Sequence, residues 1–374
     1  MMSSSSMVLM DRVPIIDLQD PNESNIVAQL DAALQQFGFF YVKNHGIPES
    51  LIERQFDISK QLFDLPLHIK ESMPFDGTLD IGYLAAGGQA LEKTLRTAAT
   101  EPQQKQQQQQ QQSTEKQEGE GQIDTKEQFM MTNNKLITAS ADADHSVLTV
   151  DPDNVFDGSQ NYYLQPYIPD HPRVTSDYMS ASYKLNLRLQ HYLFEALQLD
   201  SERRRDLGQH PFLVLKQMKY AGPPSDPSKG QYGAGPHTDW GSFTILATDQ
   251  QPGLQLLWNG GVDQWLDVPP IPNTLIINAG DQIATLTNHY YKSALHRVVT
   301  TSRTVRYSTA VFTYFGLSAT FAPLPQFCGG DQTTDLAEDP SIGRTTREYF
   351  HYKLHQSVYG SDATRGSTDE EKKE

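Results

Sequence analysis

Short apolar runs alternate with amphipathic stretches over the first part of the chain. Residues 13–18 and 39–43 are apolar runs of strand length. Between them, apolar residues recur every three or four positions until Gly38, and the same spacing returns from Pro48 to Phe63. A period near 3.6 is typical of a helix with one buried face. The pattern therefore predicts strand, helix, strand and helix in that order.

The longest amphipathic pattern lies between residues 174 and 199. It places Tyr178, Leu185 and Leu193 on one face, which predicts a long helix whose apolar stripe packs on the outside of a sheet. From Phe212 the period shortens toward two, and short strand-like runs alternate with turns rich in Gly, Pro and Asn. Many short strands with regular turns predict a β-sandwich or jelly roll, buttressed by the preceding helices.

Other stretches have a different character. Residues 98–122 include an unbroken glutamine run, 106–112, and too few apolar residues to form a core, so we predict a disordered insertion. Residues 124–167 are rich in turn-forming residues and are predicted to be mainly loop. After Phe315 the chain is rich in Pro and Gly until a last predicted helix over 343–358, and a charged tail follows.

Composition narrows the class of protein. The chain has 374 residues and a formal net charge of −16, from 30 basic and 46 acidic residues. This balance argues against a broad nucleic-acid or anionic-membrane surface and favours chemistry on small molecules. The one cysteine, Cys328, excludes an intrachain disulfide and a Cys-based zinc site. Because the sequence shows no signal-peptide pattern and no apolar run of membrane-spanning length, we expect a cytoplasmic protein.

Candidate chemistry is concentrated between Pro236 and Ser308. His237 and Asp239 are two positions apart, a spacing that puts both side chains on one face of a strand. His296 lies in a later strand-like run, whereas His289 follows a predicted turn and is expected to face solvent. Two imidazoles and one carboxylate with open positions suit non-haem Fe(II) and O2 chemistry. The alternative is a surface histidine that hydrogen-bonds a nearby turn carboxylate.

Arg306 and Ser308 form a second pair with the same spacing. An arginine on the inner face of a barrel needs an anion, and its guanidinium can grip a carboxylate with two hydrogen bonds. We therefore predict a carboxylate site, and the alternative is a structural ion pair with a protein carboxylate. A short distance along the chain and a Thr-Ser turn separate His296 from Arg306, which predicts that the two lie on adjacent antiparallel strands.

Nearly the whole chain, apart from the insertion and the tail, resembles the 2-oxoglutarate- and Fe(II)-dependent dioxygenases. The similar subfamily includes isopenicillin N synthase and the plant flavonoid, gibberellin and ethylene-forming oxygenases. The resemblance begins with residues 13–18 and 38–47. In the second half, the matching motifs, in the family's order, are His237-Thr238-Asp239, Gly253-Leu254-Gln255, Asn278-Ala279-Gly280-Asp281, Thr287-Asn288, Tyr291-Lys292-Ser293, His296-Arg297-Val298 and Arg306-Tyr307-Ser308.

The resemblance implies an α+β, mainly β fold with a double-stranded β-helix, or jelly roll, at its core. It also implies roles for individual residues. Met218 is a departure, because plant relatives often carry an asparagine near the cosubstrate at this position. The implied Fe(II) ligands are His237, Asp239 and His296, and the implied 2-oxoglutarate contacts are Arg306, Ser308 and Tyr220.

The implied reaction consumes O2 and 2-oxoglutarate, forms succinate and CO2, and hydroxylates or desaturates a small organic substrate. Two alternatives stay open at this point. One is an Fe(II) oxidase similar to isopenicillin N synthase that needs no 2-oxoglutarate, because the Arg-Ser pair can also hold a substrate carboxylate. The other is a non-catalytic interaction protein that uses the glutamine-rich insertion. Aromatic candidates for the pocket wall, each of which can equally be core or rim, are Tyr83, Tyr232, Trp240 and Tyr314.

These expectations divide the chain into consecutive regions. They are a flexible N-terminus (1–12), an N-terminal dioxygenase region (13–97), the glutamine-rich insertion (98–122), connecting loops with the long helix (123–211), the Fe(II)/2-oxoglutarate jelly-roll core (212–316), a C-terminal extension with a helix (317–361) and a disordered tail (362–374).

Overall fold

The structure is a computed structural model that describes most of the chain. The described residues are 13–73, 82–86, 123–132, 163–259, 263–300, 304–328 and 341–359. The predicted flexible N-terminus, the tail and the whole of the glutamine-rich insertion therefore lie outside the described residues.

Two sheets form the centre of the molecule. The larger sheet has the strand order β1-β2-β12-β9-β14-β6-β5-β3, the smaller one β11-β10-β13-β8, and β4 pairs with β7. The strands are β1 (Ile15–Asp17), β2 (Phe39–Lys43), β3 (Gly82–Leu84), β4 (Ile123–Asp124), β5 (Lys126–Thr132), β6 (Pro211–Tyr220), β7 (Gln231–Tyr232), β8 (Ala234–His237), β9 (Phe243–Thr248), β10 (Leu254–Asn259), β11 (Asp263–Asp267), β12 (Thr274–Ala279), β13 (His296–Val298) and β14 (Arg306–Gly316).

Most of the helices bury apolar stripes against one face of the larger sheet, whereas the last helix packs Phe350 against Phe212 and Tyr314 on the other face. The described helices are α1 (Glu23–Gln36), α2 (Glu49–Asp64), α3 (Leu67–Glu71), α4 (His171–Ala196), α5 (Ser201–Gly208), α6 (Asp281–Leu286) and α7 (Thr346–Tyr359). Helix α1 begins after Asn22, whose side chain accepts the Ser24 backbone N–H and caps the first turn. Helix α4 buries Tyr178, Leu185 and Leu193 and packs against α1, α2 and the larger sheet. None of the described helices has the length and apolarity needed to cross a bilayer.

The predicted architecture is confirmed. The first four elements are β1, α1, β2 and α2, and the long helix is α4, which begins slightly earlier than predicted, at His171. From β6 onward the chain is a series of short strands in two sheets, with helices on the outside. The fold is therefore the mainly β α+β jelly roll that the periodicity and the motifs indicated.

The expectation that residues 124–167 are mainly loop is wrong for β5. This strand lies inside the larger sheet, between β6 and β3. Phe129 and Met131 belong to the apolar core that includes the helices, whereas Lys126 and Gln128 line a cleft on the other face. Because long polar side chains occupy one face, the strand lacks the apolar pattern that identifies a buried strand from sequence.

The predicted adjacency of the His296 and Arg306 strands is also wrong. Strand β13, which begins with His296, pairs with β10 and β8 in the smaller sheet. Strand β14, which begins with Arg306, pairs with β6 and β9 in the larger sheet. The chain crosses from one sheet to the other between these strands instead of closing a hairpin. His296 and Arg306 therefore line one cleft from two different sheets.

Candidate active site

The structure brings His237, Asp239 and His296 together. His237 ends β8 and His296 begins β13, and the two residues are paired across these antiparallel strands. Asp239 lies two residues beyond the end of β8, in the following loop, so strand alternation alone does not place it. Its Oδ1 is 3.9 Å from Nε2 of His237 and 3.7 Å from Nε2 of His296. One ligand atom from each residue lies within 4.8 Å of the other two.

Backbone carbonyls orient both imidazoles. Nδ1 of His237 donates to the Gly235 carbonyl at 2.7 Å, and Nδ1 of His296 donates to the Ala294 carbonyl at 2.9 Å. Because a carbonyl oxygen can only accept, each Nδ1 carries the proton, and each Nε2 keeps its lone pair. Hydrogen bonds of this kind fix the tautomer and the ring orientation of metal-binding histidines.

Two donors hold the other oxygen of the Asp239 carboxylate. Thr244 Oγ1 donates to Oδ2 at 2.6 Å, and Asn278 Nδ2 donates to the same oxygen at 2.7 Å. The loop that carries Asp239 also packs closely on Gly280, where a Cβ would lie 2.3 Å from the Gly241 carbonyl oxygen and 2.8 Å from that of Asp239. Oδ1 is thereby left to face the two imidazoles.

The protonation states favour a cation at this cluster. Burial, together with the charges of His296 and Lys126, lowers the pKa of His237 to about 4. Burial acts to raise the pKa of Asp239, but the two imidazoles and the hydrogen bonds from Thr244 and Asn278 outweigh it and hold that pKa below its usual value. At neutral pH the site therefore presents a neutral imidazole and a carboxylate, which are the forms that bind metal.

Arg306 and Ser308 lie side by side on the cleft face of β14. Arg306 is 3 % exposed and Ser308 is 1 % exposed, and Nε and Nη1 of Arg306 and Oγ of Ser308 have no hydrogen-bond partner. None of the described carboxylates forms an ion pair with Arg306. The guanidinium lies over the ring of Tyr220, its cross-strand neighbour on β6, with 4.9 Å to the ring centroid. The Tyr220 hydroxyl donates to the sulfur of Met218 at 3.3 Å.

The cleft between the two sheets contains both groups of residues and encloses about 850 Å3, its open mouth included. Of the aromatic candidates for its wall, Trp240 and Tyr314 line the cleft together with Phe312. Tyr83 and Tyr232 do not. The Tyr83 hydroxyl donates to Glu127, and the Tyr232 hydroxyl donates to the Pro227 carbonyl.

Sequence reasoning missed several polar residues of the cleft. Thr244 and Asn278 hold the Asp239 carboxylate, and Lys126 projects from β5. Asn278 was part of a matching motif, but nothing in its spacing connects it with Asp239. His289, by contrast, is exposed after the turn that was predicted for it.

The residues present fit a divalent iron and a dicarboxylate. Two imidazole nitrogens and one carboxylate oxygen converge without hydrogen-bonding one another, and a buried guanidinium with unpartnered N–H groups lies in the same cleft. Such a donor set suits a non-haem Fe(II) centre, and an unpaired buried arginine suits an anion. The fold and the site together define a jelly-roll, mononuclear non-haem oxygenase.

Comparisons with known proteins agree with this class. A sequence model described as "2OG-Fe(II) oxygenase superfamily" matches residues 211–314, and one described as "non-haem dioxygenase in morphine synthesis N-terminal" matches residues 13–150. The chain belongs to the 2OG-Fe(II) oxygenase superfamily, and it is an Fe(II)- and 2-oxoglutarate-dependent oxidoreductase. The predicted family, enzyme class and cofactors are thus confirmed.

Individual relatives are distant but cover most of the chain. A flavonol synthase/flavanone 3-hydroxylase of Arabidopsis thaliana is 28% identical over 323 residues, which cover 85% of this chain and 80% of the relative. The structure of a full-length Neurospora crassa protein in complex with alpha-KG and thymine superposes with a TM-score of 0.67 at 23% identity, covering 91% of this chain and 96% of that one. The structure of JOX2 in complex with 2OG, Fe and JA gives a TM-score of 0.62 at 25% identity, covering 85% and 79%.

Proposed function

We propose that the chain hydroxylates, or desaturates, a small organic substrate and converts 2-oxoglutarate and O2 to succinate and CO2. His237, Asp239 and His296 would bind the iron in this proposal, and Arg306 and Ser308, with Tyr220 beside them, would hold the distal carboxylate of 2-oxoglutarate. The observation that carries the proposal is the buried, unpartnered Arg306–Ser308 pair in the cleft of a converging His-Asp-His cluster. An uncompensated buried guanidinium costs several kcal/mol, which a bound carboxylate offsets.

The chain's own residues bind and orient the reactants. When bound, Fe(II) and 2-oxoglutarate supply the activation of O2 and the oxidative decarboxylation. Gly235 and Ala294 fix the two imidazole tautomers, and Thr244 and Asn278 fix the carboxylate, so the ligand atoms need little reorganisation. Because Arg306 is buried, little water reaches the anion site, and the hydrogen bonds from Arg306 to a bound carboxylate would be stronger than in water.

The substrate lies, in this proposal, against the aromatic wall. Trp240, Phe312 and Tyr314 line the same cleft as the metal cluster. Rings of this size suit a planar or apolar molecule, since they offer large contact area with little loss of side-chain freedom. We also propose that the reaction takes place in the cytoplasm. Residues 212–316 form the catalytic core in this proposal, and the regions before and after them support that core.

Substitution of the proposed iron ligands tests this function. We expect His237→Ala and Asp239→Ala to reduce Fe(II)-dependent formation of succinate from 2-oxoglutarate to background, because each change removes one of three metal contacts. His289→Ala is the matched control, since His289 is an exposed histidine outside the cluster. Succinate formation at the unsubstituted rate in either ligand variant would contradict the assignment.

A further inference from the structure

A buried ion pair from the N-terminal half of the chain lies beside the metal cluster. Lys126 Nζ is 2.8 Å from Asp124 Oδ2, and the two side chains are 5% and 3% exposed. Lys126 lines the cleft, and its charge contributes to the low pKa of His237. Neither residue belongs to the iron ligands or to the Arg306–Ser308 pair.

Asp124 connects this ion pair to a proposed iron ligand. Its Oδ1 accepts the Gly235 backbone N–H at 2.9 Å, and the Gly235 carbonyl accepts the Nδ1 proton of His237 at 2.7 Å. One oxygen of the Asp124 carboxylate therefore accepts from Lys126, and the other accepts from Gly235, the residue whose carbonyl orients His237. The hydrogen bond to Gly235 explains why a carboxylate stands at position 124, but it does not explain why a lysine stands at position 126.

The strand register places Lys126 at the end of a row that includes Arg306. Lys126 pairs with Tyr220, and Tyr220 pairs with Arg306, so the three side chains project from the same face of the larger sheet. The next row along the strands consists of Gln128, Met218 and Ser308, of which Met218 offers no hydrogen-bond donor. Cationic donors of the cleft thus stand on both sides of Tyr220.

The Lys126 ammonium has more donors than its protein partner uses. An ammonium has three N–H groups, and Asp124 Oδ2 is the one acceptor found for it among the described residues. A buried N–H without an acceptor is costly, and Lys126 lines the cleft that holds the anion site. A bound carboxylate oxygen would take one of the remaining donors.

We propose that Lys126, oriented by Asp124, is a second cationic contact of the cosubstrate site and donates to the carboxylate of 2-oxoglutarate that Arg306 does not hold. The inference rests on the proposed function, which assigns the distal carboxylate to Arg306. The other carboxylate would lie nearer the iron ligands, in the cleft that Lys126 also lines. Lys126 adds a charge-assisted hydrogen bond there, and Asp124 is a positioning residue for both Lys126 and His237.

A paired substitution separates this role from a purely structural ion pair. Lys126→Met alone leaves a buried carboxylate, so the test uses the double variant Asp124→Asn/Lys126→Met, whose asparagine can still accept from Gly235. Calorimetric titration of the Mn(II)-loaded protein with 2-oxoglutarate should show binding weaker by about tenfold or more, with Mn(II) affinity within about twofold of wild type. The matched control is Lys219→Met, on the opposite face of β6, where the lysine pairs with Asp64 outside the cleft.

Several outcomes overturn the inference. If the double variant binds 2-oxoglutarate as tightly as wild type, the pair is structural only. If wild type itself does not bind 2-oxoglutarate, the proposed function fails as well, so the two failures are distinguishable. Should the double variant not fold, a crystal structure of wild type with Mn(II) and 2-oxoglutarate decides the question. Lys126 Nζ within about 3.2 Å of a ligand carboxylate oxygen supports the proposal, and a longer separation refutes it.

Discussion

The two donors on Asp239 provide the most direct test of how the fold builds the metal site. Asn278 Nδ2 and Thr244 Oγ1 both donate to Oδ2 of a carboxylate that is 5% exposed. Asn278→Ala removes one of these bonds and leaves the carboxylate freer to rotate away from the imidazoles. A hydrogen bond to a charged group contributes about 1.5 to 3 kcal/mol, which corresponds to about tenfold to a hundredfold in affinity. Loss of the hydrogen-bond partners that hold metal ligands has effects of the same size, about tenfold to a hundredfold.

Titration of the metal-free protein with Mn(II) measures this effect without turnover. We expect Asn278→Ala and Thr244→Val each to weaken Mn(II) binding by about tenfold to a hundredfold. Thr274→Val is the control on the same strand as Asn278, because its hydroxyl donates to the Ile271 carbonyl away from the cluster. This variant should bind Mn(II) within about twofold of wild type, although it also loses a hydrogen bond. Wild-type Mn(II) affinity in both Asn278→Ala and Thr244→Val would refute the idea that these donors position an iron ligand.

Two further predictions concern the buried cation and a buried histidine. Arg306→Met should weaken 2-oxoglutarate binding by about a hundredfold or more, while unfolding of the ligand-free protein in urea shows no loss of stability, because Arg306 forms no ion pair with any of the described carboxylates. A large loss of stability with unchanged 2-oxoglutarate binding would instead indicate a structural ion pair. Burial lowers the pKa of His171 from 6.5 to about 3. As the pH falls below about 6.5, this histidine therefore binds a proton in the unfolded state but not in the folded state, and the folded protein loses stability. Between pH 7.5 and 5.5, wild type should lose about 1.4 kcal/mol more stability than His171→Leu, measured by urea unfolding, and equal losses would contradict the shift.

Local patterns determined much of the fold. In a helix with one buried face, apolar residues recur every three or four positions, and in a strand they recur every second position. These two periods were visible in the sequence for α1, α2 and α4 and for the strands from β6 onward. Strand β5 was not predicted, because the polar residues Lys126 and Gln128 occupy its cleft face. A strand whose polar face is needed for a site does not show the apolar pattern of a core strand.

The sequence by itself determined the chemistry of the site, because residue types and their motifs specify which groups can bind iron and a carboxylate. The tertiary structure decided how those groups are arranged. His296 and Arg306 are close in the chain, yet they lie in different sheets, since the connection between β13 and β14 crosses the sandwich. Asn278 reaches Asp239, and Asp124 reaches Gly235, only because long-range strand pairing brings distant segments together. Such contacts depend on the register of whole sheets, and no local period in the sequence records that register.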